Sequence, residues 1–272
     1  MMTELTPVQM LGALPLFADK QTHHIARSCC LGLVPARAFA DSAEHPTAVL
    51  VVLKRFGIGF AAGDAKHAKG LLEMLRGWHP WYEINEPPDS WYPALAAWTK
   101  ESHATVRYAF TNDPATFDMA RLRTLATPPP GYALKVYDEP LLKQALSATW
   151  SEDQMGGFAS PEDFLRDGLG VALVKDGKLV SGCSSFCAHT EGYEIQVDTD
   201  PECRGKGFAT CVSAAFLLES LVREKTPYWD AANGKSMRLA EKLGYVFERA
   251  YPAWILVTPK TTEQAIAEQV IG

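Results

Sequence analysis

Positions 194 to 210 read Glu194-Ile195-Gln196-Val197-Asp198-Thr199-Asp200-Pro201-Glu202-Cys203-Arg204-Gly205-Lys206-Gly207-Phe208-Ala209-Thr210. A strand pattern feeds a turn with two glycines and two cations, and a helix pattern begins directly after it. Glycine lets the main chain approach an anion closely, and the unpaired amides at a helix start together carry about half a positive charge. Arg204 and Lys206 add whole charges to that point. The combination is a cradle for a diphosphate. A plain glycine turn with two solvated cations would have the same composition, so the order of the neighbouring elements has to decide.

Other chemistries fit less well. Gly57-x-Gly59-x-x-Ala62 follows a strand, but a dinucleotide site also needs a complete strand-helix-strand unit with a distal acid for the ribose; alternating glycines inside a strand explain the spacing. Gly234-Lys235-Ser236 has the ending of a P-loop, yet Trp229 stands where that loop requires its first glycine. His23 and His24 point different ways on a helix and do not make a shared metal site. His189 is a candidate acid or base beside the strand, and a single loop histidine is also commonly structural. Cys29, Cys30, Cys183, Cys187, Cys203 and Cys211 form neither a CxxC pair nor zinc spacing with histidines, so they read as reduced thiols and no metal is expected. HExxH and GxSxG are missing from the sequence.

The elements that must position the cradle can be traced from apolar periodicity and turn residues. Strands are expected at 47–53, 56–62, 104–110, 132–137, 170–174, 178–180, 193–199, 227–231, 245–250 and 253–257. Helices are expected at 64–76 (capped by Asp64), 114–125, 139–149, 161–167, 207–224 and 235–243. Asp176-Gly177 sets a tight hairpin turn. Trp78, Trp81, Trp91 and Trp98 gather around Pro87-Pro88 and read as core packing before recognition surface. The run Thr127-Pro128-Pro129-Pro130-Gly131 is the strongest break, giving an N-terminal domain over 1–127, a linker over 128–131 and a second domain over 132–272.

Composition narrows the class further. With 272 residues, 47% of them apolar and 21% charged, the chain can bury cores and is neither disordered nor collagen-like. A net charge of −6 argues against general binding to nucleic acid or an anionic membrane, so any anion must be held locally. The first residues show no positive region followed by an apolar core, and no stretch reaches membrane-spanning length, so a cytoplasmic location is expected.

The order of motifs decides the cradle. Arg204-x-x-Gly207-x-Ala209 after a strand, then a long helix, then Tyr228-Trp229-Asp230-Ala231, then Asn233-x-x-Ser236-x-x-Leu239-Ala240-Glu241-Lys242-Leu243-Gly244-Tyr245, resembles the acetyl-CoA half of a GNAT-superfamily N-acetyltransferase over roughly 132–257. Pro227-x-Trp229-Asp230, and Phe39-Ala40-Asp41 with Pro46 upstream, resemble the GNAT acetyltransferase branch that includes zwittermicin-resistance-type proteins. The resemblance implies a mixed α/β fold with a mixed sheet, its C-terminal part a GNAT-like acetyl-CoA-binding fold and its N-terminal part an accessory, degenerate α/β unit that shapes the acceptor cleft.

The resemblance also implies roles. Backbone groups of Val197, Asp198 and Thr199 would pair with the pantetheine arm as an added strand. Amides of Arg204, Gly205, Lys206, Gly207, Phe208, Ala209 and Thr210 would hold the diphosphate of acetyl-CoA. Asn233 would reach the cofactor, and Ser236 the pantetheine or the sulfur. A lysine-like amine is neutral in only about one molecule in a thousand at neutral pH, so a base helps. Strand alternation puts Glu194, Gln196 and Asp198 on one face, and Glu194 is the first candidate base, Asp230 the second. Many GNAT enzymes place a tyrosine acid at the position of Ala240, which has no hydroxyl; Ser236, Tyr245 or water is left to protonate the thiolate, or it leaves unassisted. The expected function is acetyl transfer from acetyl-CoA to a primary amine, a small-molecule acceptor, by direct attack in a ternary complex. The alternative is a non-catalytic acyl-CoA-binding or sensing module.

Overall fold

Two strands without a polar side chain in the core, Ala48–Leu53 and Gly170–Lys175 up to its last residue, each organise one unit of the chain. The structure, a computed structural model, describes residues 2–18 and 20–258. Among the described residues, one unit is built from those within Met1–Gly32, Ala36–Val106 and 252–258; the other from Leu33–Pro35 and Arg107–Tyr251. The proline run therefore lies inside the second unit, as a link between a helix and a strand, and the units meet in sequence at 106/107 rather than at 128–131.

In chain order the strands of the first unit are β1 (Thr3–Glu4), β2 (Ala36–Ala40), β3 (Ala48–Leu53), β4 (Ile58–Gly63) and β5 (Trp81–Asn85), with helices α1 (Pro7–Met10), α2 (His24–Cys30), α3 (Ala68–Glu73) and α4 (Tyr92–Ala96). Strand β6 (His103–Thr111) carries the chain into the second unit. There follow α5 (Met119–Leu125), β7 (Ala133–Val136), α6 (Glu139–Ser147), α7 (Pro161–Asp167), β8 (Gly170–Lys175), β9 (Lys178–Ala188), β10 (Gly192–Thr199), α8 (Phe208–Val222), β11 (Thr226–Tyr228), β12 (Asp230–Ala231) and α9 (Gly234–Leu243). Strand β13 (Val246–Val257) returns to the first unit.

In the first unit β1 to β4 pair antiparallel in sequence order, β4 and β5 pair parallel, and β13 closes against β5 from Ala253 to Val257. Gly59 lies in β4 and Gly57 directly precedes it, where a methyl would stand 2.1 Å from the Trp81 carbonyl oxygen. Trp91 and Trp98 are core residues with Leu71, Leu72 and Tyr82, whereas Trp81 is 43% exposed. The expected aromatic cluster is therefore packing for the most part.

In the second unit β7, β8, β9 and β10 pair antiparallel, and β11 joins β10 in parallel. One sheet face carries Val171, Leu173, Cys183, Tyr193, Ile195 and Val197 against α8; the other carries Ala172, Val174 and Leu179 against α6 and α7. Helix α8 is apolar nearly all round and is correspondingly buried. Asp176 and Gly177 take the positive φ values, 51° and 79°, of the tight hairpin turn. The expected strand at 227–231 is two: β11 stays with β10, while β12 pairs with β6. The two expected C-terminal strands are one, β13. Helix 114–125 is broken at extended Phe117, and Asp118 caps its α-helical part through the amides of Ala120 and Arg121.

Candidate active site

The site begins where β10 and β11 part. Their pairing runs only from Gly192↔Thr226 to Glu194↔Tyr228. At Trp229 the chain turns away: its amide donates to Asn112 Oδ1 at 2.9 Å, and Asp230 then pairs with Ala109 of β6. Arg107 Nε donates to Asp230 Oδ1 at 2.7 Å, and the Tyr251 hydroxyl donates to Oδ2. Burial, followed by the neighbouring Asp230 charge, holds the Tyr251 phenol far above its ordinary range, so it stays a donor. Asp230 is thus an anchor for the departing strand and is committed to it, which removes the second candidate base. Beyond Glu194 the outer edge of β10, Ile195 to Thr199, has no sheet partner among the described residues. Val197, Asp198 and Thr199 lie on this open edge.

At the far end of the edge lies the glycine turn. Gly205 and Gly207 have φ of 77° and 81°, and a methyl on either would meet open space. Their requirement is therefore conformational, and their surroundings are free for a ligand. Gly207 caps α8 without any side-chain bond, and the first amide to find a helical acceptor is that of Cys211, on the Gly207 carbonyl. The amides of Phe208, Ala209 and Thr210 stand at the helix start without that acceptor. Arg204 and Lys206 are exposed; Arg204 Nε donates to the Thr199 carbonyl at 3.1 Å and Lys206 Nζ to the Glu202 carbonyl at 3.2 Å. Both contacts are with carbonyls, which carry no countercharge. These residues fit a diphosphate.

Glu194 sits at the other end, 6% exposed, opposite Cys187 on β9 and Tyr228 on β11. A register shift on β9 at Phe186 falls beside it. The side chains of Gln196 and Asp198 share its face, as their mutual hydrogen bonds show, while Ile195 and Val197 pack on the α8 core. His189, after β9, comes to the same place: one of its ring nitrogens lies within 4.8 Å of a Glu194 carboxylate oxygen. Its ring stands edge-on to Tyr228 at 5.6 Å, and Nε2 is 3.9 Å from Cys187 Sγ. The six cysteines are free, and of them only Cys203 is not buried.

The α9 residues are fixed by capping. Asn233 Oδ1 accepts from the amides of Lys235 and Ser236, leaving its amide nitrogen as the group with reach. Ser236 Oγ accepts from Trp229 Nε1 at 3.1 Å. A hydroxyl accepting an indole N–H keeps its own proton to donate. Ala240 is fully buried, and Gly244 ends the helix at φ 112°. Tyr245 is unsuited to protonate a thiolate: its hydroxyl donates to the Pro227 carbonyl at 2.8 Å, and burial keeps the phenol far above its ordinary range. Asn112, Arg107 and Tyr251 were not marked by any local pattern, because their roles arise from pairing with residues more than twenty positions away or across sheet edges.

A family model described as GNAT acetyltransferase matches residues 14–254. The chain belongs to the GNAT acetyltransferase family. As a GNAT-type N-acetyltransferase it is similar to the uncharacterized N-acetyltransferase YdfB of Bacillus subtilis, 27% identical over 255 residues that cover 89% of this chain and 94% of that one. It is similar also to a GCN5-related N-acetyltransferase-like protein of Streptococcus suis, at 32% identity and TM-score 0.81 over 90% of this chain and 97% of that one. A GCN5-related N-acetyltransferase of Sphaerobacter thermophilus shares the fold at 13% identity and TM-score 0.57, with 96% and 97% covered. The mixed α/β GNAT fold expected from the motif order is the one observed, and an acyl-CoA donor follows from the family. Among the described residues no helix is long and apolar enough to cross a membrane.

Proposed function

We propose that this GNAT acetyltransferase moves the acetyl group of acetyl-CoA to the primary amine of a small molecule, by direct attack in a ternary complex. One observation carries the reading: a single strand, β10, has the anion-holding turn at one end, a buried carboxylate at the other, and an open edge between them. The five residues of that edge span about 16 Å at the usual rise of a strand. An extended arm tied to a diphosphate fits such an edge by main-chain hydrogen bonds.

In this reading the amides from Arg204 to Thr210, with the Arg204 and Lys206 side chains, hold the diphosphate. Main-chain groups of Val197, Asp198 and Thr199 hold the arm, and the Asn233 amide nitrogen reaches it from α9. The bound donor supplies an acetyl group already activated as a thioester. Glu194 takes the proton of the attacking amine, directly or through one water, from a site dry enough to favour the neutral amine. Ser236, polarised as a donor by Trp229, protonates the leaving sulfur. The second unit carries these groups, and the first is accessory.

Calorimetric titration with acetyl-CoA, followed by thiol release across a panel of amines, tests the proposal. Binding with thiol release only when an amine is present supports it. Binding without release on any amine would leave a sensing module. Glu194→Gln is expected to keep donor affinity and lower turnover about 10²-fold with a flattened pH profile; equal rates across pH would remove Glu194 from the mechanism.

A further inference from the structure

The proposed donor site uses only the main chain of Asp198, whose side chain is partly buried on the Glu194 face of β10. Gln154, fully buried, donates from Nε2 to Asp198 Oδ2 at 2.6 Å, and Gln196 Nε2 donates to both carboxylate oxygens at 3.1 and 3.3 Å. Gln154 belongs to a run of turns over 149–157 that joins α6 to α7. It fastens that run to the sheet: Oε1 accepts from the Tyr137 hydroxyl at 3.0 Å, and the Gln154 carbonyl accepts from Ser184 Oγ. Nearby the Gly157 amide donates to the Phe186 carbonyl at 2.7 Å, at the register shift beside Glu194. The approach is close by construction, since a methyl on Gly182 would stand 2.1 Å from Tyr137 Oη and one on Gly157 2.6 Å from Cys187 Cβ.

Asp198 also stands one residue before the contact that Arg204 makes with β10. Arg204 is folded against the next residue, through Nε to the Thr199 carbonyl, and its charge acts on the Asp198 carboxyl. Burial pushes that carboxyl up; Gln154 and Gln196 pull it down by hydrogen bonding, Asp153 raises it, and Arg204 lowers it. Tyr137 and Cys183, the other titratable neighbours, are held protonated by burial.

We propose that Asp198 is a positioning residue that conveys occupancy of the diphosphate cradle to the 149–157 turn. This inference rests on the donor-site reading above. An anion held by Arg204 cancels the charge that steadies the partly buried carboxylate. Asp198 then takes a proton from solvent more readily, and a carboxylic acid accepts from Gln154 more weakly than a carboxylate does. The turn loosens on the face where Glu194 stands, as the donor arrives.

Hydrogen exchange of the full chain with and without saturating CoA, at about pH 6, between the ordinary carboxyl range and neutrality, tests this. Amides of 149–157 are expected to exchange about fivefold faster with CoA, the scale of trading a charge-assisted hydrogen bond for a neutral one. Asp198→Asn, which keeps one acceptor oxygen for Gln154 but cannot change charge, should show no such response. Arg204→Ala should show the faster exchange without ligand. Binding enthalpies in buffers of different ionisation enthalpy should report proton uptake in the wild type and none in Asp198→Asn. CoA that binds without altering exchange at 149–157, or a response that survives in Asp198→Asn, overturns the inference and leaves the donor site standing. CoA that fails to bind at all removes both.

Discussion

The two units use the same pairing scheme to opposite ends. Each has antiparallel strands followed by one parallel pair, β4 with β5 and β10 with β11, and each sends the chain from the fourth of these strands into a helix. In the first unit the junction is Gly63-Asp64. Gly63, at φ 89°, is pressed against the Thr47 carbonyl, its own carbonyl accepts the Trp91 indole N–H at 2.9 Å, and Asp64 caps the helical turn through the Lys66 amide. A carboxylate occupies the place where an anion would have to bind. In the second unit the junction is Arg204 to Gly207, with no side-chain cap, open glycines and exposed cations. On the function proposed above, the difference teaches that the parallel pair alone does not make a donor site; what matters is whether the helix start is filled by the chain itself.

The sharpest way to break that contrast is at the glycines. Gly63→Ala meets both a positive φ and a backbone oxygen 2.0 Å away, so a loss of about 3–5 kcal/mol in urea unfolding is expected. Gly205→Ala meets open space and should cost only about 1–2 kcal/mol of strain, while donor binding weakens. Equal losses at the two positions would show that the second cradle is packed like the first. Next in size, Arg107→Ala leaves the Asp230 carboxylate with the Tyr251 hydroxyl but without its cation, in a site where both members of the ion pair are mostly buried. A cost of about 2–4 kcal/mol is expected, with weaker donor binding as β12 loses its anchor.

Arg204→Ala should weaken acetyl-CoA binding by about 1–3 kcal/mol, as for a charged hydrogen bond. Lys66→Ala, at the comparable junction of the first unit, should leave calorimetric affinity unchanged. If both substitutions act alike, the assignment of the donor to the second unit fails. The smallest effect is a pH slope. The Asp198 carboxyl is raised in the folded protein, so the stability it contributes is whole below the ordinary carboxyl range and is lost as pH rises through the raised value. Asp198→Asn should therefore gain thermal stability relative to the wild type between acid and neutral pH, and parallel curves would exclude a shifted Asp198.

Much of this contrast was legible in the sequence where the signal is local. Asp64 as a cap, Asp176-Gly177 as a turn, and the glycine pair after β10 depend on neighbouring residues, and the backbone angles follow them. The fork was not legible. The run 227–231 is uniformly strand-like, and what divides it is Asn112 gripping the Trp229 amide and Arg107 gripping Asp230, partners over a hundred residues away. The unit boundary was missed for a related reason. Three prolines end a helix without ending a core, and β13 returns to the first unit in a way that no linker composition reveals. The alternation of Glu194, Gln196 and Asp198 was readable, but the arrival of His189 and Gln154 beside that face was not.

Helix α8 is sunk in apolar contacts on nearly every side, with its first turn forming the cradle. It has no water-facing stripe along which it could detach, so it should melt only when the whole unit melts. A ligand seated on that first turn is consequently felt by the entire cooperative transition, and heat denaturation alone can report who occupies it.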